Sequence, residues 1–257
     1  MYKNRALIVA YYTLREIIKS KVLLNTVLIG LGLLVLTFVA YSFSYGSPAR
    51  IAIDFGVAAL SLSTVGIAIF FGTSLITNEI ENRTIYLVIS RPLSRLDFLI
   101  GKTLGLSGVL ILNTLILSIF TLSLYFFIGG IFEMLIFWTI LFICLEGLIV
   151  LLLSCLFSLV SNKVLSILMT LSVYIVGHAI NSTQLITFVK KTPFLESLLS
   201  AYHYILPAFY KLNLKEFLLY EQHLSTKYLL TNFTYGVIYS LGLLFLSIFI
   251  FNRKNLD

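Results

Sequence analysis

The chain has 257 residues, of which 59% are hydrophobic and 11% charged, with a formal net charge of +7 and a mean hydropathy of +1.02. Soluble domains carry about 25% charged residues, so this composition excludes a water-soluble globule. The charges gather at the ends of apolar runs instead of forming one basic face, which argues against a nucleic-acid partner. Several of those runs reach the ~20 residues that a helix needs to cross a bilayer core, and they lack the alternation of barrel strands. The expected fold is therefore all-α: one transmembrane domain over 1–257, built as a bundle of six spans.

Residues 3–21 come first. Leu7, Ala10, Tyr11, Leu14, Ile17 and Ile18 recur at helical spacing, with Asn4, Arg15 and Lys19 on the other side and Lys3, Arg5 and Lys21 adding charge. Such a basic amphipathic helix suits the membrane interface. Spans are expected at 22–44, 51–77, 96–127, 132–158, 163–182 and 228–251. The first is too long for a cleavable leader, whose apolar region runs to ~7–15 residues, and reads as a retained span. Short breaks at Tyr45–Arg50, Gly129-Gly130 and Ser161–Lys163 separate neighbouring spans. Cys144 and Cys155 share one apolar run without metal-ligand spacing and read as packing residues.

The basic residues divide unevenly between the two sets of loops. Lys3, Arg5, Arg15, Lys19, Lys21, Arg83, Arg91, Arg95, Lys102, Lys163, Arg253 and Lys254 lie on one side, against Arg50, Lys190, Lys191, Lys211, Lys215 and Lys227 on the other. Twelve against six puts both termini in the cytoplasm. Two connections are too long for turns: a cytoplasmic one at 78–97 and an external one at 183–227. In the external segment Thr192-Pro193 starts a helix, with Phe194, Leu195, Leu198, Leu199 and Tyr202 on one face. After Pro207 come Phe209, Leu212, Leu214, Phe217 and Leu218, again apolar. Short helices lying on or dipping into the outer face of the bilayer are expected there.

The cytoplasmic connection is the most informative stretch. Glu79 and Arg83 are four apart in the orientation that supports a helix, and Ile80, Ile85, Leu87 and Val88 make it amphipathic. Arg91-Pro92 stops it, and Ser94-Arg95-Leu96-Asp97 forms a capping box for the third span. The spacing predicts a short helix parallel to the membrane, joined by a rigid turn to a transmembrane helix.

The residues Glu79, Glu81, Arg83, Thr84, Ile85, Ile89, Ser90, Arg91, Pro92, Ser94, Arg95, Phe98, Gly101 and Lys102 carry a resemblance. Their pattern resembles the permeases of type 2 ATP-binding cassette (ABC) transporters, with further matches at Leu206-Pro207, Leu212-Asn213 and Phe251-Asn252-Arg253-Lys254. Within that family it looks closest to permeases associated with maturation of multicopper enzymes such as nitrous oxide reductase. The resemblance implies a multi-pass protein of the bacterial cytoplasmic (inner) membrane. It implies a homodimer, or a pseudo-twofold pair, of permeases served by two copies of a separate ABC ATPase, which binds the ATP and Mg. Residues 79–91 would be the coupling helix, with Glu79, Glu81, Arg83, Thr84, Ser90, Arg91, Pro92 and Arg95 as ATPase-coupling residues. Membrane lipid is a further expected partner, and contact with an external accessory protein stays open.

No catalytic residue, cofactor-binding residue or metal site is expected in the chain itself. Gly101-Lys102-Thr103 lacks the earlier glycine and the strand of a phosphate-binding loop, and Gly101 and Gly105 read instead as small residues for close helix packing. Glu146 is the acidic residue placed near the middle of a span, where an ionisable group needs a partner or water. Two readings stay open for it: a hydrogen bond to a polar group on another span such as Asn113, or a place in the transport path. His178 and Asp54 fall near the external ends of their spans. The alternatives to an ATPase-coupled permease are a secondary transporter driven by an ion gradient and a non-transporting membrane scaffold coupled to an ATPase.

Overall fold

The computed structural model describes residues 5–19, 22–42, 48–81, 94–184, 202, 205–219 and 224–253. These residues are helical with no strand among them. Helix α1 is Arg5–Lys19, α2 Val22–Ser42, α3 Pro48–Glu81, α4 Arg95–Phe127, α5 Met134–Val160 and α6 Lys163–Gln184. A single 3-10 turn at Phe209–Lys211, the short α7 Lys215–Leu219 and the long α8 Thr226–Arg253 follow. Among the described residues five helices are long and apolar enough to cross a membrane: 49–74 within α3, then α4, α5, 163–180 within α6, and α8. The apolar part of α2 covers Thr26–Val39.

Helix α5 is the axis of the bundle. It is apolar all round, as a helix surrounded by other helices must be, and Ile149, Val150, Leu151, Leu152 and Leu153 are buried in succession. It packs against α3, α8, α6 and α4. Ser154 donates to the Ala68 carbonyl of α3 at 3.1 Å, an interhelical bond set in an otherwise apolar contact.

The helices alternate in direction. Phe98 at the start of α4 stacks on Phe251 at the end of α8, 6.3 Å between centroids. Lys163 at the start of α6 reaches over the Phe70 ring of α3. One end of the bundle therefore gathers the starts of α4 and α6 and the ends of α3, α5 and α8. The α4–α5 connection lies at the other end and is tight. Gly129 has φ +91°, a left-handed conformation that suits glycine, and Gly129 and Gly130 return their N–H groups to the Phe126 and Tyr125 carbonyls. That pair of bonds satisfies two carbonyls at the end of α4.

Helix α1 lies along the first turns of α4. A Cβ at Gly101 would sit 2.5 Å from Val9 Cβ and 2.6 Å from the Ala6 carbonyl oxygen, and one at Gly105 2.8 Å from the Ala10 carbonyl oxygen. Leu14 covers Gly108 one turn further on. Successive turns of α1 thus meet successive turns of α4, so the helices run side by side in the same direction. The contact confirms Gly101 and Gly105 as close-packing positions. It also divides the expected apolar face of 3–21: Ala10, Leu14 and Ile17 turn toward protein, while Leu7, Tyr11 and Ile18 remain exposed. The 33 residues of α4 make a rod of about 50 Å at 1.5 Å per residue, well beyond a ~30 Å hydrocarbon core. Helix α1 lies against its first half, at Gly101, Gly105 and Gly108.

Two expectations need correction. Residues 78–81 do not begin a separate helix, because α3 continues unbroken from its apolar part to Glu81. The stretch after Pro207 does not lay its apolar side chains on lipid: Phe209, Leu212, Leu214 and Leu218 are buried in the bundle. Phe209 and the Pro207 carbonyl press against Gly177 of α6, Leu212 reaches Gly236 of α8, and the Ala208 N–H donates to the Tyr235 hydroxyl at 2.9 Å. The expected helix start at Thr192-Pro193 lies outside the described residues.

Candidate functional site

Two regions carry the residues singled out by the sequence. The first is the junction between α3 and α4. Glu79 and Glu81 belong to the last turn of α3, while Arg83, Thr84, Ser90, Arg91 and Pro92 lie outside the described residues. On the far side of the junction the expected cap is present. Ser94 has extended backbone, its hydroxyl accepts from the Asp97 N–H at 3.0 Å, and it donates to the Asp97 carboxylate at 2.7 Å. Arg95 is the first residue of α4. Lys102 and Thr103 sit inside α4, with Thr103 donating to the Leu99 carbonyl, so Gly101-Lys102-Thr103 is helix and not a loop.

The second region lies inside the bundle. Glu146 on α5 is fully buried, and its Oε1 is 2.9 Å from His178 Nε2 on α6. This replaces the expected partner Asn113, whose side-chain oxygen accepts from Thr26 of α2 at 2.8 Å. An unpaired carboxylate at this depth costs on the order of 2.5–3.5 kcal/mol on insertion scales, and the imidazole offsets part of that. The other carboxylate oxygen completes no hydrogen bond among the described residues.

His178 is held by aromatic rings. Tyr174, one helical turn earlier, meets it edge-on at 4.7 Å, and Phe209 stacks nearly parallel at 5.6 Å. Phe209 can come that close because Gly177 has no side chain. The Tyr174 hydroxyl lies alongside both Glu146 and Ser61 of α3. Ser61 in turn accepts from Lys215 Nζ at 2.6 Å. A row of polar groups therefore runs from Lys215 through Ser61 and Tyr174 to Glu146 and His178, joining α7, α3, α6 and α5.

Above this row is a cavity of about 670 Å³, within the range of small-molecule sites. Tyr174, Ile175 and His178 of α6 form one wall, Tyr210, Asn213, Lys215 and Glu216 a second, and Tyr228 of α8 a third. Burial and the neighbouring Tyr235 and Tyr228 push the Tyr210 phenol up, so it remains a neutral O–H group near neutral pH. Lys211 stands over the Tyr235 ring, 4.9 Å from its centroid. The geometry offers O–H, N–H and cationic donors together with a carboxylate, which fits recognition of a polar ligand. Among the described residues no group of three or more His, Cys, Asp or Glu side chains is placed to hold a metal ion.

Sequence reasoning placed Glu146 correctly in a span but did not pair it with His178, 32 residues away on another helix. A usable signal was present in Tyr174 and His178, whose i, i+4 spacing puts both on one helical face. Nothing in the sequence joined Lys215 to Ser61. Asp54 lies near the start of α3 and is exposed. No protein-family model matches this sequence, and the search of curated proteins gives no match.

Proposed function

We propose that this chain is the membrane-spanning permease subunit of an ABC transporter, moving a substrate with energy from ATP hydrolysed on a separate ATPase. The observation that supports this best is what flanks residues 82–93. On one side α3 arrives as an unbroken helix of 34 residues, and on the other α4 leaves from a capped first turn as a helix of 33. Helix α1 packs on the turns that follow, at Gly101, Gly105 and Gly108. A partner that displaces the segment therefore moves two long helices, because regular helices resist compression far better than loops do.

In this reading α2 is the first of six spans, and both termini face the cytoplasm. The basic side chains of the described residues agree: Arg5, Arg15, Lys19, Arg95, Lys102, Lys163 and Arg253 lie toward the α3–α4 junction, against Arg50, Lys211, Lys215 and Lys227 at the other end. Residues 79–91 dock on the ATPase, which supplies the ATP and Mg site. Two permeases and two ATPases form the assembly in a bacterial inner membrane.

The test is capture of the ATPase by an Arg83→Ala, Arg91→Ala double variant that inserts normally. Loss of capture, or loss of transport-linked hydrolysis, is expected. Full binding with full coupled activity would remove residues 79–91 from the coupling role. The Glu146–His178 pair favours a second reading, a secondary transporter driven by an ion gradient, since intramembrane ionisable pairs mark such pathways. Transport that persists without any ATPase and collapses with the gradient would select it.

A further inference from the structure

We propose that the cavity between α6, α7 and α8 binds a zwitterionic ligand of headgroup size, its anionic group on Lys215 and its ammonium beside Glu216 and the tyrosine faces. Lys215 is half-buried, yet its described hydrogen bond goes to a neutral hydroxyl, Ser61, at 2.6 Å. An ammonium group has three donors, so two remain for a ligand. No carboxylate pairs with Lys215 among the described residues; Glu146, reached only past Ser61 and Tyr174, is taken by His178. Among the described residues this half-buried cation has no counter-charge, which points to an anionic group arriving at the cavity.

The next residue sets the other half of the preference. Glu216 lines the same cavity, is exposed, and has no ion pair among the described residues. A ligand carrying only negative charge would meet repulsion there, whereas one with adjoining anion and ammonium satisfies both residues. Tyr210, Phe217 and Tyr228 add ring faces that attract an ammonium. Ile175 and Tyr228 are exposed at the rim, and Ile175 sits on a membrane-spanning helix. The cavity is thereby open to a lipid as well as to a solute.

The shared chemistry is a phosphate next to a primary ammonium, and the experiment separates its two sources. The full chain, purified in detergent, is titrated with phosphatidylethanolamine and with phosphatidylglycerol, and bound lipid is read by native mass spectrometry. Preferential retention of one phosphatidylethanolamine is expected. Lys215→Met should weaken it about tenfold, the loss of a charge-assisted hydrogen bond, and Glu216→Gln should shift preference toward phosphatidylglycerol. Glu216 is exposed, so that variant folds even if Lys215→Met does not. Competition by free glycerophosphoethanolamine identifies a solute ligand, and its failure to compete identifies the lipid. Equal retention of both lipids, or a preference unchanged in both variants, would overturn the proposal. The assay involves no ATPase, so its outcome is independent of the coupling role of residues 79–91.

Discussion

Replacing Glu146 gives the sharpest test of how the bundle interior is held. The carboxyl is fully buried and makes a 2.9 Å contact with His178, while the imidazole side chain keeps 23% of its surface exposed toward the cavity. Glu146→Leu removes the polar partner of the imidazole and leaves a ring nitrogen unpaired. A buried unsatisfied group costs roughly 1–3 kcal/mol, and partial access of His178 to water puts the expectation near the lower half of that range. Glu146→Gln keeps a carbonyl acceptor for the ring and loses only the charge assistance, about 1 kcal/mol. Removing both partners in Glu146→Leu, His178→Leu should recover stability relative to Glu146→Leu alone, because apolar replacement of a whole buried pair is often neutral or favourable. The coupling from the double-mutant cycle should fall at about 1–2 kcal/mol. SDS titration of the purified protein, followed by fluorescence of the single tryptophan Trp138, reads the wild type, Glu146→Leu, His178→Leu, the double variant and Glu146→Gln. That residue is on α5 itself, in contact with Phe142 and with Phe233 of α8, and so reports on bundle opening. Additive losses within about 0.5 kcal/mol would show that the pair contributes nothing. Equal damage from Gln and Leu would show that a charge or a proton is required instead.

Other consequences follow from the same contacts. Gly105→Leu should undock α1, since the Ala10 carbonyl cannot retreat without moving the helix; a cost of about 1–3 kcal/mol would appear as faster tryptic cleavage at Arg15 and Lys19. Gly32→Ala, with nothing near its new methyl group, serves as the neutral control. Ser94→Ala should cost about 0.5–2 kcal/mol of local helix stability and raise hydrogen exchange at residues 95–98, while Ser94→Asp preserves protection. A cysteine at position 82 should react with an impermeant reagent only after the cells are opened, and one at position 222 in intact cells. The reverse pattern would invert the orientation.

The spans were legible because their signal is local and strong. Twenty apolar residues in a row have few structural outcomes in lipid, and the long apolar helices α4, α5, α6 and α8 begin and end within two residues of the expected limits. Ser94 was legible for the same reason: a capping box is four residues long. The pairing of Glu146 was not, because which face of α6 meets α5 depends on packing that no single run of sequence encodes. Asn113 is a reasonable partner on polarity alone, yet its side-chain oxygen accepts from Thr26 of α2 and Glu146 meets His178 instead. The segment after Pro207 misled for a related reason. Its apolar residues are equally suited to lipid and to a protein interior, and only the gap at Gly177 and Gly236 decides between them.

The two ends of the molecule are mechanically joined through α3. Ser61, which accepts from Lys215 in the wall of the cavity, and Glu81, which leads into residues 82–93, belong to one continuous helix. Twenty residues separate them, about 30 Å at 1.5 Å per residue. A helix of that length transmits an axial shift or a rotation with little loss, whereas loops would absorb it. A movement of an ångström at residues 82–93 would stretch the 2.6 Å bond between Ser61 and Lys215 beyond hydrogen-bonding range. It would also carry the Ser61 hydroxyl away from Tyr174, and with it the neighbour of Glu146. The hydrogen bond between Ser61 and Lys215 in the cavity wall thus lies on the same helix that leads into residues 82–93. Any coupling is reciprocal, because a ligand that holds Lys215 and Ser61 in one arrangement favours the corresponding position of α3 at its other end.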